Sequence, residues 1–200
     1  MKRIFDIIFA ITAIIITSPL FLTASLFIIL ESKGRVFYKS RRIGRHKKPF
    51  KLFKFRTMYP DSDKMSITVG NTDPRITRTG YWLRKFKIDE LPQFINVIKG
   101  DMSIVGPRPD VPEYSEFYTH YMPDYFEMKP GITSYSSIYF SNESELYVNS
   151  SNPEKKYVEE TIPKKVELDR PYYEQRDMRT DLLIILKTIQ KILKNEQIHE

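Results

Sequence analysis

The chain has 200 residues, of which 41% are hydrophobic, with a formal net charge of +7 and a sequence pI of about 9.4. This length fits one domain plus an anchor, and the basic charge suits an anionic partner such as nucleic acid, anionic lipid or a phosphorylated substrate. The absence of cysteine excludes disulfides and thiolate chemistry, and the three scattered histidines lack the spacing of a zinc site.

The first predicted element is an apolar segment, residues 7–30, that contains no charged side chain. About 24 residues at 1.5 Å each would span a bilayer core of roughly 30 Å if the helix were straight. Ser18-Pro19 lies in the middle, and proline removes an N–H and clashes with the preceding turn, which leaves two halves too short to cross alone. Both flanks are basic, so the positive-inside rule favours the cytoplasmic side for both ends.

A re-entrant helix–break–helix segment satisfies both the interruption and the basic flanks. A proline-kinked single-pass helix and a cleaved signal peptide are the alternatives, and the latter is disfavoured because no small-residue cleavage site ends the apolar run. A break would free backbone carbonyls, for which the Ser18 hydroxyl is the nearest donor.

The next elements form a predicted β-hairpin. Aromatic and branched residues at 35–38 and 50–56 flank a basic turn. Lys54 and Arg56 are two residues apart and face the same way on a strand, so either could contact a lipid headgroup or a phosphate.

A polar loop is predicted at 59–79 and a short helix at 80–87. Arg84 precedes Asp89 by five residues and can point at it if the chain bends between them. A surface arginine is the alternative.

Asp89 and Glu90 are adjacent carboxylates at the start of a predicted helix. Its apolar face has helical spacing: Leu91, Phe94, Ile95 and Ile98. Proline is tolerated only near the first turn, so Pro92 requires the helix to begin close to Asp89, and Gly100 is a plausible stop.

A stiff turn, Gly106-Pro107-Arg108-Pro109, follows that helix and presents one arginine. Helix N-termini attract carboxylates and phosphate, so the acid pair and this cation together indicate phosphoryl chemistry. A capped surface helix followed by a proline-rich loop would show the same pattern, and both interpretations stay open on residue types alone.

The remaining pattern is mainly helical. A tyrosine-rich helix at 112–128 is more typical of core packing than of a cofactor site, and an extended segment starts at 129. We predict an exposed loop at 141–152, a charged helix at 153–168 and an amphipathic helix at 181–194. The last one suits either the headgroup plane of a membrane or packing against the domain.

Four stretches resemble, in order, the bacterial sugar transferases, which are monotopic phosphoglycosyl transferases: KFRTM (54–58), DPRITRTG (73–80), LRKFKIDELPQFINVIKGDMSIVGPRP (83–109) and KPGIT (129–133). The resemblance implies an α+β, mainly helical fold with a small β-hairpin and interfacial amphipathic helices. It also implies a re-entrant membrane anchor at 1–32, broken at Ser18 and Pro19, and a membrane-associated catalytic domain at 33–200 on the cytoplasmic face of the bacterial inner membrane.

Enzymes of this family move a sugar-1-phosphate from a UDP-sugar to polyprenyl (undecaprenyl) phosphate. The resemblance implies that Asp89 is the nucleophile and Glu90 the Mg²⁺ ligand, with Asp169 a weaker site candidate. The cations it places around the phosphates are Arg56, Arg84, Arg108 and Lys129. The expected partners are the two substrates and membrane lipid, without nucleic acid, and a homodimer is left open.

One motif departs from the family pattern. Lys129 stands where the family usually has arginine, and Ser134-Tyr135 stands in place of Gly-Trp. Lysine keeps the charge but loses the bidentate fork, which leaves the accepted sugar nucleotide open.

Two other classes of protein would also explain a basic chain with an anchor. One is a membrane-anchored binding protein for nucleic acid or anionic lipid, which would need no acid pair, and the other is a catalytically silent scaffold for glycan assembly. Release of UMP from a UDP-sugar, lost in Asp89→Asn, would distinguish the transferase from both.

Overall fold

The computed structural model describes residues 1–60, 70 and 73–194, so most of the predicted loop at 59–79 lies outside the described residues. The fold is mainly helical with a small β-hairpin, as predicted, and it also contains a second small sheet. The helices are α1 (Lys2–Glu31), α2 (Arg78–Lys85), α3 (Gln93–Lys99), α4 (Ser115–Tyr121), α5 (Tyr135–Tyr139), α6 (Pro153–Lys156), α7 (Ile162–Glu174) and α8 (Met178–Lys194). The strands are β1 (Phe37–Ile43), β2 (Pro49–Phe55), β3 (Ser103–Val105) and β4 (Gly131–Thr133).

The apolar N-terminal segment forms one helix, α1, with Pro19 inside it, so the predicted division into two helices is not confirmed. By length and composition this helix could cross a membrane. The Ser18 hydroxyl donates a 2.8 Å hydrogen bond to the carbonyl of Ile15, which is the acceptor that Pro19, lacking an N–H, leaves free. That part of the prediction is confirmed.

The N-terminal end of α1 is fixed to the domain by polar contacts. The Arg3 guanidinium donates to the carbonyls of Val97 and Ile98, at 2.6 and 2.9 Å, where α3 ends. The Asp6 carboxylate is buried and accepts hydrogen bonds from the Ser103 hydroxyl and the Ile104 N–H. These hydrogen bonds stabilise a buried carboxylate whose removal from water would otherwise be costly.

The C-terminal end of α1 is fixed to the same domain. The Glu31 carboxylate accepts from the N–H groups of Arg78 and Thr79 at the start of α2. The Arg56 guanidinium, at the end of β2, donates to the carbonyls of Ser32 and Lys33. Between the two ends, none of residues 11–20 is buried.

The predicted β-hairpin is confirmed. Strands β1 and β2 are antiparallel, from Phe37 opposite Phe55 to Ile43 opposite Pro49, and a 3₁₀ turn joins them. Asn96 of α3 holds β2 in place, since its side chain accepts from the N–H of Phe53 and donates to the carbonyl of Lys51.

The prediction for the helix after the acid pair is wrong in two respects. First, α3 begins only at Gln93, and the acid pair lies in a separate 3₁₀ turn, Ile88–Glu90. The preceding Lys87 has a left-handed backbone (φ 57°), which ends α2 and starts the new turn. Secondly, the buried face of α3 carries polar Asn96, whereas Ile98 is exposed. The predicted stop at Gly100 is confirmed, with φ 93°.

A two-stranded parallel sheet of β3 and β4 was not predicted. The backbones of Gly106 and Gly131 meet beside it, and a Cβ on Gly131 would lie 2.1 Å from the Gly106 nitrogen. Only glycine permits this approach. The contact fixes the turn that carries Arg108.

The tyrosine-rich region divides into a 3₁₀ turn (Pro112–Tyr114), α4 and a further 3₁₀ turn (Tyr125–Glu127). Tyr114, Tyr118 and Tyr125 are buried, which confirms core packing for them. The expectation of an exposed loop at 141–152 is wrong for its first part, because a 3₁₀ helix, Glu143–Tyr147, lies there and Tyr147 is 2% exposed.

The amphipathic helix α8 starts earlier than predicted, at Met178, where the Asp177 carboxylate caps the N–H of Thr180. Asp181, the predicted start, is buried and pairs with Lys2 at 2.6 Å. Most of the apolar face stays exposed, and its exposed members are Leu182, Leu183, Leu186, Ile189, Ile192 and Leu193.

Candidate active site

The acid pair lies in a cavity of about 340 Å³ between the hairpin, α2, the Arg108 turn and the segment after α5. The basic side chains in its lining are Arg42, Lys54, Arg84, Lys85, Lys87, Arg108 and Lys165, and the acidic ones are Asp89, Glu90, Asp110, Glu143 and Glu145. Cations therefore outnumber carboxylates, seven to five, and the cavity suits an anionic ligand.

Glu90 is held in a dense ion-pair network. Arg108 approaches it with both terminal nitrogens, at 2.6 and 3.3 Å, and the Lys54 ammonium lies 2.8 Å from the same carboxylate. Burial acts to raise the pKa of Glu90, but Arg108 and Lys54 outweigh burial and hold that pKa well below its usual value. Glu90 is therefore ionised near neutral pH.

Asp89 is less well compensated. It is 7% exposed, and the Lys54 ammonium lies 3.8 Å from it. Burial raises the pKa of Asp89, Lys54 opposes the rise, and the charge of Glu90 adds to it. A buried carboxylate with weak compensation is poorly solvated, which favours its reaction with an electrophile.

Two further cations contribute from α2 and the bend after it. The predicted site residue Arg84 lies in the cavity, and one of its terminal nitrogens is buried without a hydrogen-bond partner among the described residues. Lys87 reaches across the cavity and donates to the carbonyl of Ser141. An unsatisfied buried donor is costly unless a ligand completes it, so Arg84 is a candidate phosphate contact.

Arg56 and Lys129 do not line this cavity. The Arg56 guanidinium is taken up by carbonyls at the end of α1, and Lys54, two residues earlier on the hairpin, takes the place expected for it. Lys129 lies near Gly100 and Arg3, at the end of α3 opposite the acid pair. The structure therefore does not bring these two predicted side chains to the cavity.

Asp169 also lies outside the cavity. It is buried in α7 and accepts hydrogen bonds from the Ser136 N–H and hydroxyl, at 2.9 and 2.7 Å, where α5 begins. Burial raises its pKa to about 6. Asp169 therefore positions α5, and through α5 the Ser141 segment of the cavity wall.

Sequence reasoning missed the far wall of the cavity. Lys165 of α7 lies 2.8 Å from Glu143 and 3.1 Å from the Tyr157 hydroxyl. Asp110 accepts from the hydroxyls of Tyr118 and Tyr157. Asp110 follows the proline-rich turn directly, which was a usable signal, whereas nothing near Lys165 in the sequence points to the site.

The acid pair fits a magnesium ion that arrives with a phosphorylated substrate. Mg²⁺ is usually bound by one or two carboxylates together with substrate phosphates, and Asp89 and Glu90 supply two carboxylates in one cavity. No group of three or more potential metal ligands occurs in the part of the chain that the structure describes. Arg108 and Lys54 already contact Glu90, so a metal would share that carboxylate with them.

The family model of the bacterial sugar transferases matches residues 1–195. The chain belongs to the bacterial sugar transferase family. One relative in this family is the uncharacterized sugar transferase EpsL of Bacillus subtilis (strain 168), 38% identical over 203 residues, which are 100% of this chain and 91% of EpsL.

Two other relatives of this bacterial sugar transferase have named substrates. The UDP-glucose:undecaprenyl-phosphate glucose-1-phosphate transferase of Escherichia coli (strain K12) is 35% identical over 98% of this chain and 41% of its own length. The UDP-N-acetylgalactosamine-undecaprenyl-phosphate N-acetylgalactosaminephosphotransferase of Aeromonas hydrophila is 34% identical over 96% of this chain and 44% of its own length. The two names share the lipid acceptor and differ in the sugar.

Proposed function

We propose that this bacterial sugar transferase moves a sugar-1-phosphate from a UDP-sugar to undecaprenyl phosphate and releases UMP, as the first membrane step in assembling a glycan. The observation that carries the proposal is the buried Asp89 facing a cation-lined cavity, beside a Glu90 held by Arg108 and Lys54. The names of the relatives support the two substrate classes.

The reaction proceeds in two displacements at the same phosphorus atom. In the first, an Asp89 carboxylate oxygen attacks the β-phosphorus of the donor, the bond to the bridging oxygen breaks, and UMP leaves with the electron pair. In the second, a phosphate oxygen of the lipid attacks the phosphosugar on Asp89, and the carboxylate is regenerated. A phosphate is already ionised near neutral pH and hardly needs a base, which favours the nucleophile role for Asp89 over a base role.

The side chains around Asp89 have distinct tasks in this scheme. Arg84, with its unsatisfied nitrogen, and Arg108 bind the donor diphosphate and orient it for in-line attack. Lys54 opposes the effect of burial on the pKa of Asp89 and so favours its ionised, attacking form. Glu90 would hold Mg²⁺, which supplies neutralisation of the diphosphate charge when it is bound.

The anchor brings the site to the lipid acceptor. Both ends of α1 make polar contacts with one domain, while its middle is exposed and apolar. A helix that crossed the bilayer would carry its two ends to opposite sides, where one domain could not bind both. These contacts support a re-entrant, monotopic anchor with the domain on the cytoplasmic face of the inner membrane.

The decisive experiment tests a panel of UDP-sugars for UMP release by the purified protein with undecaprenyl phosphate. We expect release with at least one sugar, and its loss in Asp89→Asn. Donor labelled in the β-phosphate should label the protein without acceptor, and the lipid should discharge the label, with ping-pong kinetics.

Three outcomes would contradict parts of the proposal. Intersecting kinetics without acceptor-free labelling would remove the covalent route and keep the overall reaction. Full activity after exhaustive chelation with EDTA would remove the metal role of Glu90. No UMP release from any UDP-sugar would favour a binding protein or scaffold.

A further inference from the structure

A second cavity, of about 220 Å³, adjoins the catalytic one and has a different chemistry. It lies between α5 and α8, with β3 and β4 beneath it and Phe9 of α1 and Phe94 of α3 at its side. Most of the side chains in its lining are hydrocarbon, among them Ile132, Ile138 and Ile189. We call it the apolar groove.

The apolar groove and the catalytic cavity share part of their walls. Five residues line both: Lys87, Glu90, Arg108, Phe140 and Ser141. Asp89 lines only the catalytic cavity. A ligand with a hydrocarbon tail in the groove and an anionic head would therefore place its head against the cations Lys87 and Arg108, next to Asp89.

The groove is continuous with the exposed apolar surface of the molecule. Ile189 and Ile192 line it and are 46% and 41% exposed. They belong to the uncovered face of α8, and Phe9 belongs to the membrane helix α1. A hydrocarbon chain can thus pass from the bilayer into the groove without crossing water, which would be unfavourable for it.

We infer that the apolar groove binds the first isoprene units of the acceptor, next to its phosphate, an inference that rests on the proposed function. The donor then enters the catalytic cavity from water and the acceptor phosphate arrives from the groove, over the shared wall of Lys87 and Arg108. A cavity of this size takes only the phosphate-proximal part of a long polyprenyl chain, and the remainder stays in the bilayer.

The inference is tested by filling the groove with Ile189→Trp. A matched control is Leu186→Trp, one turn earlier on α8, which is 57% exposed and does not line the groove. We expect Ile189→Trp to raise the KM for undecaprenyl phosphate by about tenfold, because the indole ring would occupy space that the isoprene units fill, with the donor KM unchanged. Leu186→Trp should leave both constants near their wild-type values.

Equal effects of the two substitutions on the acceptor KM would overturn the inference. Absence of UMP release in the wild-type protein would instead count against the proposed function, so the two failures are distinguishable. Acceptor-free labelling of Asp89 by the donor should persist in Ile189→Trp, which shows that the variant is folded.

A second measurement uses the unmodified protein, so its result does not depend on whether a variant folds. A farnesyl phosphate with a photoreactive diazirine in its first isoprene unit should crosslink to α5 and α8 at the groove. Undecaprenyl phosphate should suppress the crosslinks, and phosphatidylglycerol should not. Crosslinks confined to residues 11–22 of α1, or suppression by phosphatidylglycerol, would show a general lipid contact and overturn the inference.

Discussion

Asp89 and Glu90 are neighbours in one 3₁₀ turn, and burial acts on both carboxyl groups, but the final pKa shifts have opposite signs. The difference arises because Arg108 and Lys54 both lie closer to Glu90 than Lys54 lies to Asp89. Glu90 is thus stabilised in its charged form, whereas the charged form of Asp89 destabilises the folded protein. This division matches a holding role for Glu90 and an attacking role for Asp89.

The two carboxylates should therefore affect stability in opposite directions. The raised pKa of Asp89 means that the folded protein binds this proton more tightly than the unfolded chain, so ionised Asp89 lowers stability at pH 7. The lowered pKa of Glu90 contributes stability above its unfolded pKa, which is lost as pH falls through the folded value.

We expect Asp89→Asn to abolish turnover and to raise Tm at pH 7. Glu90→Gln should lower stability by about 3 kcal/mol, the cost of breaking a buried pair, which is roughly 10 °C in Tm for a chain of this size. Thermal unfolding in detergent measures both variants. A lower Tm in Asp89→Asn would contradict the conclusion that ionised Asp89 destabilises the folded protein.

Lys54 should set the acid side of the pH–rate profile. In the proposed mechanism the attacking form of Asp89 is ionised, so activity should fall as pH drops through a pKa that lies above the ordinary value of 3.8. Lys54→Met removes the attraction that opposes this rise and should move the acid limb to higher pH. Initial rates across pH measure the shift, with Lys51→Met, on the same strand and outside the cavity, as the control. An unmoved limb would show that Lys54 does not act on Asp89.

At the scale of the elements, Pro19 interrupts the backbone hydrogen bonding of α1. Pro19→Ala restores a backbone N–H that can donate to the Ile15 carbonyl and removes the need for the Ser18 hydroxyl bond. We expect a completed backbone hydrogen-bond ladder and a larger fraction of molecules that span the membrane, since an uninterrupted apolar helix of this length can cross a bilayer. Protease protection of the N-terminus in vesicles measures that fraction, and Leu20→Ala serves as the control. An unchanged fraction would show that the polar contacts at the two ends hold the topology without Pro19.

The elements that could be predicted were those with strong local signals. The hairpin follows from two alternating segments around a basic turn, and α8 from its long apolar stripe. The sheet of β3 and β4 could not be predicted, because strands of three residues carry almost no pattern and their pairing depends on the close contact of Gly106 and Gly131.

The site residues also differed in how well the sequence could predict them. Arg84 and Arg108 lie within twenty residues of Asp89, and the motif brought them to notice. Lys165 was missed because it reaches the cavity from α7, far away in the sequence. Arg56 was misplaced for another reason. Its two-residue spacing from Lys54 shows that both side chains share a face of the strand, but not which of them binds the carbonyls at the end of α1. The start of α3 was misjudged because the left-handed Lys87 has no signal of its own in the sequence.

For the whole molecule, the polar contacts at both ends of α1 predict that both ends share one side of the membrane. The chain has no native cysteine, so single cysteines placed before Met1 and at Lys33→Cys report topology directly. Both should be shielded from an impermeant thiol reagent applied outside intact cells and labelled after permeabilisation. Labelling of only one in intact cells would show a spanning helix.

The same contacts determine when the anchor can be completed during synthesis. Arg3 and Asp6 are made first by the ribosome, yet their partners lie 94 to 98 residues later in the chain. These contacts therefore cannot form before about half of the polypeptide has been made. We expect residues 1–32 to depend on the rest of the domain for their native arrangement. Residues 1–32 fused to an unrelated soluble protein would have no acceptor for Arg3 and no donor for Asp6, and we expect such a fusion to lose the native topology.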